Sequence, residues 1–447
     1  MSIKIDQSLT PAKLRPAIER LFDLSAAKIA AIEKNWNPAK GTPVFTINGK
    51  YTTRGWTEWT QGFQFGSALL QFDVTGDRKF LEWGRNNTIE RMASHVSHIG
   101  VHDHGFNNIS TYGNLWRLMR EGQIDWNDRE NDFYELALKV SGAIQAARWT
   151  ETNDNGGFIY SFNGPHSLFI DTMRSLRSLA VAHQLGHVLM GEGDDQISLL
   201  GRLIAHAETT AHHAIYYGKG RDSYDVRGRV AHESIFNTND GNYRCPSTQQ
   251  GYSPFSTWSR GLAWAICGFA EQLEFTATQQ PYIEPGFDSI VEEAARATAD
   301  LYIAESCADG VPMWDFGAPN LLRLGDFKSK PADPFNDWEP VDSSAAAIAA
   351  QGLIRLGNFL NNQDYRAAGL TIAKSLFAPP YLSESADHEG LILHSVYHRP
   401  NGWDQIHKGQ SVPNGESSMW GDYHARELGL LIWREASAEK LFFFKHE

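Results

Sequence analysis

Twelve stretches of this 447-residue chain space their apolar residues at intervals of three and four, and that period constrains the fold more than any motif does. The first, "LRPAIERLFDLSAAKIAAIEKN", stops at "WNPAKGTP"; the others lie near 58–74, 77–95, 105–121, 130–149, 167–190, 193–217, 257–279, 286–305, 342–360, 363–378 and 417–436. The strand signal that stands out is "GLILHSVYH", residues 390–398. Connections near 74–77, 190–193, 279–286 and 360–363 are short, whereas 218–256 and 306–341 are long and rich in aromatic and polar residues. Alternating short and long links predict helical hairpins whose long loops gather at one end. Six such hairpins can close into a double ring. The expected fold is therefore all-α, an (α/α)6 barrel of about twelve helices with the long loops forming its mouth. An open solenoid would share the pattern, but no fixed-period repeat is visible.

Charge and cysteine usage narrow the function. Forty basic against 53 acidic residues give a net charge of -13, with no basic stripe, which argues against nucleic acid as a partner. No apolar window reaches the length of a membrane span, and the N-terminus lacks an apolar leader core, so a cytoplasmic protein is expected. Cys245, Cys267 and Cys307 are odd in number and widely spaced, which suits free thiols. Fourteen tryptophans exceed what a helical core needs and suggest stacking surfaces, for which sugar rings are the usual partners.

The unusual chemistry sits in the long loops. Asp103 in "HDHGF" and Asp171 in "FIDTM" both stand at predicted helix starts. Taken singly, an aspartate there is most simply a cap, accepting backbone N–H bonds. Two carboxylates meeting at one mouth would mean something else, because like charges in a dry pocket keep one of them protonated near neutral pH. Asp342, before "SSAAAIAAQGLIRLG", reads as a pure cap. Arg260 and Trp264 lie four apart on one helical face, a natural clamp for a sugar carboxylate, and Trp56 with Trp59 repeats the aromatic theme. His102 and His104 are two apart and match no zinc pattern, so no metal and no cofactor is expected. GxSxG, P-loop and strand-linked GxGxxG motifs are missing.

In order along the chain, "EWTQGFQFG", "HDHGF", "FIDTMRSL", "GYSPFSTWSRGLAW", "GVPMWDF", "DSSAAAIAAQGL", "YHRP" and "WGDY" together resemble glycoside hydrolase family 88, the unsaturated glucuronyl hydrolases. The resemblance covers nearly the whole chain and implies one (α/α)6-barrel domain over 1–447. It also implies an unusual hydrolysis. A carboxylic acid protonates C4 of a Δ4,5-unsaturated uronic acid at the non-reducing end of a lyase product, and water adds at C5. The hemiketal then opens and releases the remaining saccharide. By position Asp171 resembles the family's general acid/base and Asp103 its second essential aspartate. Trp59, His232, Arg260, Trp264, Tyr397 and His398 resemble substrate contacts. Gln249 stands in "TQQGY" where the family often has a histidine, "HDHGF" replaces "HDLGF", and the 218–247 region is long, all of which bear on substrate preference. Lys408 and Ser411, in "HKGQS", resemble a Lys-x-x-Ser pattern linked to sulfated sugars. The implied partner is an unsaturated uronic-acid oligosaccharide, with sulfated forms among the candidates. Two enzymatic alternatives share the barrel: the sister unsaturated rhamnogalacturonyl hydrolases, and sugar epimerases that use paired histidines. A carbohydrate-binding protein without turnover is a third.

Overall fold

The structure, a computed structural model, describes residues 2–53, 58–279, 286–439 and 441. Its helices follow one another in outer–inner pairs. Outer α1 (Pro11–Asn35) precedes inner α2 (Gln61–Thr75). Outer α3 (Arg78–Arg91), with the short α4 (Ala93–Ser97), precedes an inner run of α5 (His104–Asn108), a π-helical turn (Ile109–Gly113) and α6 (Asn114–Arg120). Outer α7 (Asp128–Ala147) leads to inner α8 (Thr172–Ser175) and α9 (Arg177–Gln184), and outer α10 (Leu199–His213) to inner α11 (Ser259–Thr276). The last pairs are α12 (Phe287–Glu305) with α13 (Ser343–Phe359), and α14 (Gln363–Leu376) with α15 (Met419–Ala436). The inner elements pack in sequence, α2 on α5–α6, then α8–α9, α11, α13, α15 and back to α2, which closes the ring. This is the expected (α/α)6 barrel.

Burial separates the two layers. Outer α1 buries nine of its 25 residues, among them Leu14, Ile18, Leu21, Phe22, Ile29 and Ile32, a stripe facing α2 and α15. Inner α11 buries seventeen of eighteen and α13 fifteen of seventeen, as expected of helices enclosed on every side. Small residues allow them to meet. A Cβ added to Gly352 of α13 would lie 2.7 Å from the Cys267 amide of α11.

Helices enclosed on all sides must still place their polar groups, and the barrel interior does so with ion pairs. Arg174 of α8 reaches Glu271 of α11 at 2.7 Å and Glu427 of α15 at 2.8 Å, and Arg177 of α9 lies 3.4 Å from Glu427. Arg355 of α13 joins from 2.8 Å to Glu274. A second group holds Asp73 of α2 between Arg117 of α6 and Arg434 of α15, each at 2.6 Å. Between them the two networks touch all six inner positions.

Two sequence expectations need correction. Residues 390–398 form no strand; a single isolated bridge joins Ile392 to Leu382. The amides of Leu391 and Ile392 donate instead to the Asp422 carboxylate at 2.8–2.9 Å, so the extended chain finds its hydrogen bonds without a neighbouring strand. The helix expected over 167–190 starts only at Thr172, because Ser167–Phe169 pairs antiparallel with Glu233–Phe236, which pairs in turn with Tyr243–Ser247. That small sheet lies within the long loops at the barrel mouth.

The interior network makes a stability prediction. Burial pushes the Glu427 carboxyl up, but Arg174 and Arg177 overcome this and hold it well below the usual carboxylate range. A depressed folded value means that the stabilisation is present above the unfolded value of about 4.3 and is lost as pH falls through the folded one. Glu427→Gln should cost about 3–5 kcal/mol at pH 7, because it leaves two buried guanidiniums short of a counter-charge. In urea titrations the variant should also show a weaker loss of stability below about pH 4 than wild type.

Candidate active site

At the barrel mouth a cavity of about 470 Å³ has nine aromatic side chains among its sixteen lining residues. Inner-helix N-termini supply most of its floor: Trp59 just before α2, Asp103 at the start of α5, Asp171 at the start of α8, Arg260 and Trp264 on α11, and Trp420 on α15. The rings are braced against one another. Phe106 stacks on Trp264 with centroids 5.6 Å apart and planes 7° from parallel, and Trp59 lies 4.9 Å from Trp420. Tyr397 sits 5.2 Å from Trp403 and 5.3 Å from Trp420. Such a pocket offers broad flat faces to a sugar ring.

Its chemistry is concentrated at one wall. Asp103 and Asp171 occupy N-cap positions, yet neither carboxylate caps its helix, whereas Asp342 does, accepting from the Ser344 amide at 3.0 Å. Both carboxylates turn instead toward His102, whose Nε2 lies 3.1 Å from Asp171 Oδ1 and whose Nδ1 lies 3.8 Å from Asp103 Oδ2. All three side chains are buried. Burial raises the Asp103 carboxyl, and the Asp171 charge adds to that against the pull of His102. For Asp171 burial also acts upward, but the charge and hydrogen bond of His102, helped by His232, hold it below the ordinary range. Burial lowers His102, and the two carboxylates more than reverse this. One proton shared unequally between two acids is the outcome expected of like charges in a dry site. No other group of three His, Cys, Asp or Glu side chains among the described residues brings its ligand atoms within 4.8 Å. In this trio Nε2 and Oδ1 face each other at hydrogen-bond distance, a donor set arranged for proton transfer.

A close helix contact brings the aspartates together. A Cβ on Gly105 of α5 would sit 2.5 Å from the Ser175 Cβ of α8 and 2.7 Å from its carbonyl oxygen. The Ser175 hydroxyl donates to the His102 carbonyl at 3.0 Å across the same contact. This explains the glycine of "HDHGF".

The structure brings most of the sequence candidates to this cavity. Trp59, Asp103, Asp171, Gln249, Arg260, Trp264, Tyr397 and His398 all line it, while Trp56 lies outside the described residues. His232 is buried just behind the wall, its ring 4.5 Å from Phe169 and 4.8 Å from Trp258, its Nδ1 accepting from the Gln249 amide at 3.0 Å. Burial pushes both His232 and His398 down to about 4, so each is a neutral ring at pH 7. The backbone amides of Tyr397 and His398 donate to the buried Asp404 carboxylate at 2.5 and 3.1 Å. Lys408 and Ser411 are exposed on the following loop and are not among the lining residues.

Arg260 differs from the expected free clamp. Its guanidinium donates to Asp342 at 2.8 Å, to the Val396 and Tyr397 carbonyls at 2.6 and 2.8 Å, and to Gln250 Oε1 at 2.8 Å. It lies over the rings of Trp258 and Trp420 at 4.5 and 5.1 Å. Asp342 is thus both a helix cap and the counter-charge of Arg260. The neighbouring Trp264 spends its face on Phe106. Sequence reasoning missed Phe162, Phe169, Gln250, Trp403 and Trp420 as lining residues. Phe169, Gln250 and Trp420 lie inside motifs already singled out ("FIDTM", "TQQGY" and "WGDY"), while Phe162 carries no local signal.

Gly105→Ala should therefore act on catalysis more than on fold. Forcing α5 away from α8 shifts Asp103 relative to Asp171, and a misplacement of about 1 Å can cost roughly 10²-fold in rate. The check is kcat alongside far-UV circular dichroism. Unchanged ellipticity with kcat near wild type would mean that the aspartates do not depend on this contact.

No family model matches the chain. Curated relatives do. The chain is 26% identical over 379 residues to an unsaturated glucuronyl hydrolase of Formosa agariphila, covering 83% of this chain and 78% of that protein. It is 26% identical over 408 residues to the unsaturated glucuronyl hydrolase of Bacillus sp. strain GL1, covering 87% and 89%. An unsaturated chondroitin disaccharide hydrolase of Streptococcus pyogenes is 25% identical over 403 residues, covering 87% and 85%. Among solved structures, the Bacillus sp. GL1 enzyme superposes with a TM-score of 0.69 at 21% identity over 94% of this chain and 97% of that one. An unsaturated glucuronyl hydrolase specific for heparin does so with 0.73 at 19% identity over 95% and 98%. The structural likeness establishes the barrel, and the sequence likeness covers 83–87% of the chain. In sequence over most of its length, and in fold, the chain is similar to the unsaturated glucuronyl hydrolases, glycoside hydrolase family 88.

Proposed function

We propose that this protein removes the Δ4,5-unsaturated glucuronic acid from the non-reducing end of lyase-generated oligosaccharides. The observation that carries the reading is the Asp103–His102–Asp171 cluster at the wall of an aromatic cavity. The hydrolase names of the relatives support it over an epimerase or the rhamnogalacturonyl family, and the streptococcal relatives point to glycosaminoglycan fragments as substrates.

Proton placement follows from the site. Burial and the neighbouring Asp171 charge raise the proton affinity of Asp103, while the charge and hydrogen bond of His102 lower that of Asp171. An incoming uronate adds a like charge to a dry pocket, which raises the proton affinity of its carboxylates. His102 Nε2 is 3.1 Å from Asp171 Oδ1 and can pass its proton across that hydrogen bond. Asp171 then protonates C4 of the enol ether. The cation this leaves at C5 is stabilised by the ring oxygen and captured by water, whose proton returns to the Asp171 carboxylate. The C5 hemiketal opens, and the C4 proton and the hydroxyl together account for the water consumed. Asp103 holds the charge balance and the orientation of the pair. The aromatic faces of Trp59, Trp264 and Trp420 hold the sugar, and Arg260 orders Tyr397 and Gln250 around it.

Asp171→Asn should lower kcat by roughly 10²–10⁴-fold, the usual contribution of a general acid, with thermal stability preserved. The assay is loss of the enol-ether absorbance near 235 nm from an unsaturated disaccharide. Turnover within a few-fold of wild type would remove Asp171 from the acid role, and binding without loss of absorbance by wild type would make this a lectin.

The exposed loop of Lys408 and Ser411 follows Trp403, which lines the cavity. In the proposed complex this loop meets a sulfate ester on the leaving sugar, the ammonium and hydroxyl together supplying donors. Matched sulfated and unsulfated disaccharides should then differ in kcat/KM. The preference should shrink in Lys408→Ala and weaken with salt. Equal discrimination by wild type and variant would rule the lysine out of specificity.

A further inference from the structure

The turn that carries Phe162 beside the acid cluster is latched by residues of the neighbouring strand and its following segment. Residues 160–166 join the strands Gly157–Ile159 and Ser167–Phe169, and the Gly164 amide closes a turn onto the Ser161 carbonyl at 3.1 Å. Arg148 holds the base of this turn, donating to the Tyr160 and Ser161 carbonyls at 2.8 Å each. Phe162 and Asn163 form its tip. The Phe162 ring lies 6.1 Å from His102 with planes 17° apart and meets Phe169 edge-on at 5.4 Å, so it walls the side of the cavity where Asp103 and Asp171 stand.

Asn163 ties the tip down in two directions. Its Nδ2 donates at 2.9 Å to Glu233 Oε1, a buried carboxylate oxygen that also accepts from the Ser167 hydroxyl at 2.5 Å. Its Oδ1 accepts at 2.8 Å from Gln249 Nε2. Gln249 is itself held by its backbone amide on His232. A chain of hydrogen bonds thus runs from His232 through Gln249 and Asn163 to Glu233, and it ties the turn before the strand Ser167–Phe169 to the segment after the strand Tyr243–Ser247 of the same sheet.

We propose that Gln249 is a positioning residue: through Asn163 it holds Phe162 over His102 and so keeps the Asp103–His102–Asp171 cluster dry. The inference rests on the acid role assigned to that cluster. Burial is what raises the Asp103 carboxyl, and water admitted past Phe162 would lower it. The charged and titratable groups facing the cluster are Arg148 from the end of α7, His104 from α5, His206 from α10 and His232 beside the sheet.

Gln249→Met, which keeps the side-chain length but loses the amide, is compared with Asn163→Ala and Phe162→Ala. Hydrogen–deuterium exchange of the ligand-free protein over residues 157–169 reads the latch, and kcat, KM and the pH–rate profile on an unsaturated disaccharide read its consequence. Gln249→Met and Asn163→Ala should both speed exchange across 160–166. Both should displace the pH–rate profile from that of wild type and lower kcat roughly tenfold with little change in KM. Phe162→Ala should reproduce that kinetic signature, and the Gln249→Met/Phe162→Ala double variant should lose no more than either single one. A rise in KM with exchange and profile as in wild type would overturn the proposal and leave Gln249 as a substrate contact. Faster exchange with unchanged kinetics would overturn the role given to Phe162. If wild type consumes no unsaturated disaccharide, the hydrolase reading fails, and the exchange experiment still decides whether the latch exists.

Discussion

The buried Arg174–Glu271–Glu427–Arg177 network is the interaction on which the rest of this protein depends. Ions in a closed interior lose their hydration, and only good mutual geometry offsets that loss. The arrangement is therefore demanding. If one of the three inner positions it links were rotated, a charge would be left alone in the core. Hydrophobic packing alone tolerates small rotations of alanine-rich helices such as α13, but a fixed set of charge partners does not. Arg174 lies three residues beyond Asp171, so the charges that register the inner helices also fix the direction from which the aspartate enters the cavity.

Above this plug the site is built from irregular chain, and carboxylates again supply the order. Segment 390–418 has no strand and no α-helix, yet it presents Tyr397, His398 and Trp403 to the cavity. Asp422 accepts the amides of Leu391 and Ile392, Asp404 those of Tyr397 and His398, and Glu416 those of Asn48 and Gly49. Each buried carboxylate does the work of a missing strand, satisfying amides that would otherwise be buried unpaired. A loop held in this way can vary in sequence between its anchors while the aromatic faces stay in place.

The same economy explains the two roles of acidic residues at helix starts. Asp342 binds amides and a guanidinium, so its charge is fully matched. Asp103 and Asp171 leave their helix amides alone and face His102 and each other across a dry space. A matched carboxylate organises structure. A mismatched pair has its proton affinities driven apart, which chemistry can use.

The sequence by itself determined the helices, their pairing and much of the cavity. Period-three-and-four spacing is a local property, so α1, α11, α13 and α15 were legible, as were the long links that must form a mouth. The motifs around Asp103, Asp171, Arg260 and Tyr397 named the side chains that meet there. Local pattern misled where long-range partners intervened. Residues 167–169 were drawn into a sheet by Glu233–Phe236, and "GLILHSVYH" looked like a strand because β-branched and apolar residues suit any extended, buried chain. What only the tertiary structure decided were the pairings across the ring. Arg260 meets an Asp342 that lies 82 positions away, which makes it an organiser of the pocket instead of an open clamp. His102 meets Asp171 across 69 positions and shifts apart the proton affinities of two aspartates that look alike in sequence. Charge matching depends on distance in space, and spacing along a chain carries no record of it once helices have folded into a closed ring.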